Sequence, residues 1–237
     1  MNPLALLLDL FLPRLCHGCD RKLIAEEEFL CCDCLKKLPR TYYDRYWTNK
    51  TAPNSDLNPM EQRFAGQLPL RHACAPFFYA RDTMLASLIH DFKYRGFSRL
   101  ATTLGREGAL LLGDTEFFRG IDLILPIPLH WTKSLRRGYN QTEMIALGVS
   151  EVTGIPVADN LTARKPHRTQ TSLTHEQRAK NTKDVFRLER PERLKGKEIL
   201  LIDDICTTGA TLLSAGATIV QTLKEDVRLS LFTLGVV

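Results

Sequence analysis

Glu198-Ile199-Leu200-Leu201-Ile202-Asp203-Asp204-Ile205-Cys206-Thr207-Thr208-Gly209-Ala210-Thr211 is the stretch that decides the fold. The apolar run from Ile199 to Ile202 is continuous rather than alternating, the pattern of a strand covered on both faces and hence of a parallel sheet. Two adjacent carboxylates leave the strand. Hydroxyls and a glycine then lead into Ala210–Lys224, where Leu212, Leu213, Ala217, Val220 and Leu223 recur at helical spacing. Free N–H groups at a helix start attract phosphate, Gly209 lets the backbone approach closely, and Thr207, Thr208 and Thr211 add donors. Asp203 and Asp204 would repel a phosphate, but they suit ribose hydroxyls or a hydrated Mg2+. A helix cap needs only one such threonine, so this stretch carries more polar chemistry than a cap requires.

Strand and helix alternate on both sides of it. Phe77–Arg81 is expected as a short strand and Met84–Phe92 as a helix, with Leu85, Leu88, Ile89 and Phe92 facing one way. Leu100–Leu112 follows as a second helix. Ile121–Pro126 reads as a buried strand, Gln141–Val152 as the helix after it, and Arg228–Thr233 as the last strand. The alternation predicts an α/β fold, a doubly wound and mainly parallel sheet over residues 76–237. Ligands in such folds sit beyond the carboxyl ends of strands. Besides Asp203–Thr211, one other strand end is chemically loaded: Pro126-Ile127-Pro128-Leu129-His130.

Five of the seven cysteines fall between residues 16 and 34. Cys16-His17-Gly18-Cys19 and Cys31-Cys32-Asp33-Cys34 are two C-x-x-C knuckles, and two thiolates from each can meet one tetrahedral zinc. A disulfide framework is the alternative, and it needs an oxidising compartment for which nothing in the chain speaks. The expected ligands are Cys16, Cys19, Cys31 and Cys34, with Cys32 able to stand in for Cys31, and His17 outside the set. Below ~40 residues an apolar core alone rarely suffices, so the metal would supply the missing stability. The expected order is a small zinc-ribbon module over residues 1–40, an irregular connector over 41–75, and then the α/β domain. Cys74 and Cys206 stand alone and read as small buried hydrophobes.

Composition narrows the class. Of 237 residues, 44% are hydrophobic and 25% charged, which argues against disorder and low complexity. No apolar run approaches the ~20 residues of a membrane helix. Leu4–Leu12 contains Asp9 and has no basic residue before it, a poor signal peptide, so a cytoplasmic address is expected. The net charge is +5, and the excess is concentrated: between Trp131 and Leu200 there are 14 Lys and Arg against 8 Asp and Glu. Such an excess suits a polyphosphate ligand or nucleic acid, although a solvated basic face accounts for Arg187–Lys197.

Leu201 to Thr211 resembles the signature with which type I phosphoribosyltransferases bind phosphoribosyl diphosphate (PRPP). Further segments resemble the ComF/GntX family, named for competence and DNA utilisation. They are His90-Asp91-Phe92-Lys93-Tyr94-Arg95-Gly96, Pro126 to His130, Arg136-Arg137-Gly138-Tyr139-Asn140-Gln141, and Arg168-Thr169-Gln170 with Leu173, Arg178 and Asn181. With the cysteine knuckles, the resemblance covers nearly the whole chain. It implies that Asp203 and Asp204 hold ribose hydroxyls, one of them through metal-bound water, with Mg2+ as the accompanying ion. It implies that Thr207, Thr208, Gly209, Ala210 and Thr211 cradle the 5′-phosphate and that Ile127, Pro128, Leu129 and His130 form the diphosphate loop. Arg164–His175 falls where these enzymes carry a loop that closes over the site. Lys165 and Arg168 in it would neutralise the leaving diphosphate, which makes them, with Asp203 and Asp204, the candidate catalytic residues.

The resemblance has two gaps. Many relatives carry a further cysteine cluster, whereas Gln62–Ala75 keeps only Cys74, so one zinc is expected. No segment reads an acceptor base, which leaves open whether ribose 5-phosphate is transferred to a nucleobase-like acceptor. The rival reading is a non-catalytic module that senses PRPP or handles single-stranded DNA beside the DNA-uptake machinery. Lys93, Tyr94, Arg95 and Phe97, or Arg136, Arg137 and Tyr139, would interleave charge and aromatic faces for it.

Overall fold

The structure, a computed structural model, describes residues 13–48, 57–113, 115–129, 138–164, 185–224 and 227–237. It begins with helices α1 (Cys32–Lys36), α2 (Arg45–Thr48) and α3 (Pro59–Phe64), followed by strands β1 (Leu70–Cys74) and β2 (Phe77–Phe78). Helices α4 (Met84–Tyr94) and α5 (Ser98–Leu110), strand β3 (Leu123–Pro126) and helix α6 (Gln141–Thr153) come next. Strands β4 (Leu161–Ala163), β5 (Phe186–Leu188) and β6 (Glu198–Cys206), helix α7 (Ala210–Leu223) and strand β7 (Arg228–Val236) complete the chain.

The main sheet runs β1–β7–β6–β3 with every pairing parallel, and β2 continues the β1 edge along β7. Ile199, Leu200, Leu201 and Ile202 of β6 are fully buried, as a strand covered on both faces must be. Val157 adds a parallel bridge to Ile124 beyond β3. The chain therefore leaves β3 in one direction, through α6 to Val157, and leaves β6 in the other, through α7 to β7. Right-handed crossovers then set α4, α5 and α6 on one face and α7 on the other, a doubly wound sheet. Helices α5 and α6 lie so close that a side chain at Gly148 would run into the Thr102 carbonyl. No helix among the described residues is long and apolar enough to cross a membrane.

Several boundaries differ from the sequence expectation for a physical reason. Strands β6 and β7 continue past Asp203 and Thr233, because their ladder goes on through Ile205↔Gly235 and Cys206↔Val236. The strand expected over Phe77–Arg81 is only Phe77–Phe78. The stretch read as an irregular connector holds both α3 and β1. Asn58 caps α3 by accepting from the Met60 and Glu61 N–H groups, and Glu61 Oε2 accepts from the Asn58 N–H, a complete capping box with Pro59 in the first turn. Asn58 Nδ2 also donates to the Ala73 carbonyl at 2.9 Å and so ties α3 to β1. The polar residues that disguise β1 are paired: Arg71 with Glu198, and His72 with Glu61. The antiparallel pair β4–β5 is a further element not read from the sequence.

Candidate functional site

The crossovers leave β3 and β6 in opposite directions, so the carboxyl ends of these two strands form the switch point at which open α/β sheets bind ligands. Three separate motifs meet there on one carboxylate. Asp204, 7% exposed, has Lys93 Nζ at 2.7 Å from its Oδ2, and Gln141 Nε2 donates to the same oxygen at 3.0 Å. Lys93 comes from the end of α4, Gln141 from the first turn of α6 and Asp204 from β6. Sequence reading placed Lys93 among candidate DNA contacts and gave Gln141 no role. The signal available was that both lie in the segments that carry the family resemblance.

Asp203 differs from its neighbour. Its Oδ1 accepts from the Asp204 N–H at 2.8 Å. Burial, and then the adjacent Asp204 charge, push its carboxyl up to about 7, against the opposing pull of that hydrogen bond and of Lys93. A carboxyl raised on folding favours the native state most below its ordinary range, and that contribution is lost as pH rises through about 7. Asp203→Asn, which keeps the Oδ1 acceptor, is therefore expected to gain thermal stability over the natural protein between about pH 5 and about pH 8. Melting curves across that window check it; a difference that stays flat with pH would contradict it.

The second strand end is anchored by the motif that follows it. The Ile127 N–H donates to the Ile202 carbonyl at 2.8 Å. Its own carbonyl accepts from Asn140 Nδ2 at 3.2 Å and from the Thr142 hydroxyl. Asn140 also caps α6 through the Thr142 N–H, and the Tyr139 hydroxyl donates to the Phe92 carbonyl, next to Lys93. Ile127 is thus fixed beside β6, and Pro128 and Leu129 follow it. His130, Arg136 and Arg137 lie outside the described residues.

Thr207 and Thr208 are exposed at the edge of the sheet, and Gly209 starts α7 with φ of 78°, a conformation that favours glycine. The Ala210 N–H donates to Thr208 Oγ1 at 3.4 Å, and the Leu213 N–H to the Gly209 carbonyl at 2.9 Å. The reason for glycine here is not only ligand approach: a Cβ at residue 209 would sit 2.8 Å from the Phe64 ring. Arg63, next in sequence, donates to the Thr207 carbonyl and to the Val237 carbonyl and lies 3.5 Å from Cys206 Sγ. Helix α3 therefore buttresses the turn after β6. Burial pushes the Cys206 and Cys74 thiols up, in keeping with small buried hydrophobes. The expected closing loop joins β4 to β5; from Lys165 through Arg168 to His175 it lies outside the described residues.

At the amino terminus, the Sγ atoms of Cys16, Cys19, Cys31 and Cys34 all lie within 4.8 Å of one another. The Cys19–Cys31 separation is 3.8 Å, the edge of a tetrahedron whose centre is ~2.3 Å from each sulfur, as in zinc tetrathiolates. Cys16 Sγ accepts from the Gly18 and Cys31 N–H groups at 3.4 and 3.3 Å. Burial alone would raise the Cys31 thiol, but the Cys34 N–H and Arg21 bring it down to about 6. The residues fit zinc. Cys32 lies outside this group of four: it is exposed and its thiol turns to Asp33. His17, inside the first knuckle, bonds Asp91 of α4 through Nδ1 at 3.0 Å and packs edge-on against Phe97. The module is thereby joined to the helix that carries Lys93.

No family model matches the chain. Among curated proteins it is 32% identical over 133 residues to Competence protein F of Haemophilus influenzae, covering 54% of this chain and 58% of that one. It is 31% identical over 148 residues to the DNA utilization protein YhgH of Escherichia coli K12, covering 58% and 64% respectively. Among solved structures it is similar to one described as the allosteric regulatory enzyme of purine biosynthesis, with TM-score 0.40 and 16% identity over 60% of this chain and 29% of that one. It is also similar to adenine phosphoribosyltransferase of Leishmania tarentolae, with TM-score 0.34 and 13% identity over 74% and 88%. The chain is a homologue of Competence protein F and of the DNA utilization protein YhgH, and it spans 58% and 64% of their lengths.

Proposed function

We propose that the chain binds PRPP, or a related phosphoribosyl ligand, in the crevice between β3 and β6 and transfers ribose 5-phosphate to a nucleobase-like acceptor. The observation that carries this reading is the meeting of Lys93, Gln141 and Asp204 where the sheet changes direction. On this reading Asp203 and Asp204 take the ribose hydroxyls, and Thr207, Thr208, Gly209, Ala210 and Thr211 take the 5′-phosphate. Ile127, Pro128, Leu129 and His130 line the diphosphate, with Mg2+ accompanying it. Lys165 and Arg168 neutralise the diphosphate as it leaves. Catalysis needs no nucleophilic side chain, since positioning and charge stabilisation carry the reaction. The four cysteines hold a structural zinc in a module over residues 1–40, ahead of a ligand-binding domain whose sheet already includes β1. The names of the two relatives support a setting in competence or DNA utilisation.

The single-stranded-DNA reading has less support. Lys93, the central cation of that cluster, is held by Asp204 and withdrawn from the surface, while Tyr94, Arg95 and Phe97 stay exposed. A panel of nucleobases with PRPP and Mg2+, monitored for diphosphate, tests the proposal. Base-dependent release marks a transferase. Saturable PRPP binding without release under any base reduces the function to sensing, and no binding removes the phosphoribosyl reading.

A further inference from the structure

The two acids at the end of β6 have different partners. Asp203 is bonded to the Asp204 N–H, whereas Asp204 already holds a cation. The Lys93 side chain is 17% exposed and the Asp204 side chain 11%, so the pair is well shielded from screening. Gln141 Nε2 donates to the oxygen that Lys93 also contacts. A divalent ion taking that oxygen would have to displace the ammonium or share the carboxylate with it, and Mg2+ gives up its waters reluctantly. Lys is a compact point charge with three donors, so one ammonium can hold Asp204 and still donate to a ligand oxygen.

A second observation points to a ligand at this place. Gln141 is 4% exposed, yet its Oε1 is buried with no hydrogen-bond partner, while its Nε2 is turned to Asp204. A buried amide oxygen without a donor is unfavourable, and a hydroxyl brought in beside Asp204 would supply one. A second, adjacent hydroxyl can then donate to Asp204, which is the pattern a vicinal diol offers.

We propose that Lys93 is the resident cation of this site: its ammonium, rather than a bound divalent metal, balances Asp204 and helps hold the ribose hydroxyls, so a ribose 5-phosphate end binds without metal. This rests on the phosphoribosyl reading and deepens it. Mg2+ then accompanies only a ligand that carries its own diphosphate. Lys93 is a binding residue, and its neighbour Gln141 positions the carboxylate.

The test is calorimetry with ribose 5-phosphate, which lacks the diphosphate, on the zinc-loaded full chain in buffer passed over a chelating resin, so that the cysteine site is not stripped by soluble chelator. The natural protein is expected to bind equally well before and after Mg2+ is added. Lys93→Met should weaken metal-free binding by about tenfold or more, and Lys93→Arg, which keeps a cation, should lose far less. Should Lys93→Met not fold, the Mg2+ comparison on the natural protein and the Lys93→Arg affinity still decide. Ribose 5-phosphate binding that rises about tenfold with Mg2+, or that is unchanged in Lys93→Met, overturns the proposal while leaving the phosphoribosyl reading in place. Failure of both ribose 5-phosphate and PRPP to bind the natural protein overturns both.

Discussion

Replacing Cys16 with serine is expected to release the metal and unfold the amino-terminal module while the parallel sheet stays intact. Cys16 is fully buried and its sulfur accepts two backbone N–H groups, so it organises both knuckles. Around it the module buries few large apolar side chains, chiefly Leu23, Leu30 and Leu38. A core of that size does not offset the entropy of ordering the chain, whereas structural zinc contributes on the order of 10 kcal/mol to folding. The sheet buries its own apolar runs and does not need the ion. Metal analysis should fall from about one zinc per chain to none, with new protease cleavage confined to the module. Cys32→Ser, at an exposed position off the cluster, should change neither. A zinc-free Cys16 variant with a fully protected module would contradict the assignment.

Gly209→Val is expected to cost both stability and phosphate binding. Its φ of 78° disfavours a β-branched side chain by ~1–3 kcal/mol. The new Cβ meets Phe64, itself fully buried, and overpacking of this kind adds ~1–3 kcal/mol. Together the loss is about 2–6 kcal/mol, a fall of roughly 10 °C in melting temperature for a chain of this length. Phe64→Leu in the same chain makes room for the Cβ but cannot relieve the backbone strain, so it should restore part of the stability and less of the binding. A Gly209→Val protein as stable as the natural one would show that helix α3 does not press on this turn.

What the sequence made legible were the features whose cause is local. A four-residue apolar run buried on both faces announces the central strand, and paired C-x-x-C knuckles announce a metal cluster wherever they lie in space. The threonines and glycine before α7 mark the turn for the same reason. Features held by distant partners were not legible. Leu70–Cys74 contains Arg71 and His72, which look unsuited to a sheet until Glu198 and Glu61 arrive to pair them. Helix α3 is only six residues long, too short for a periodic signal, although Asn58-Pro59 and Glu61 carried a capping box. Lys93 reads as part of a family-like lysine segment and as a candidate DNA contact, with nothing local to link it to Asp204. Only folding brings it to Asp204 and takes it out of the basic patch. Gly209 was legible as a glycine that lets the backbone approach a phosphate, but its contact with Phe64 was not, since that ring comes from a distant part of the chain.

The most direct test of the account is titration of PRPP with Mg2+ into the natural protein and into Asp204→Asn. The substitution keeps the shape and the Gln141 contact but removes the charge that holds Lys93, and the apolar run of β6 is untouched. The account predicts saturable binding of about one PRPP per chain to the natural protein, and a loss of about tenfold or more in affinity in a variant that remains folded. Absence of PRPP binding in the natural protein, or equal affinity in Asp204→Asn, would contradict it.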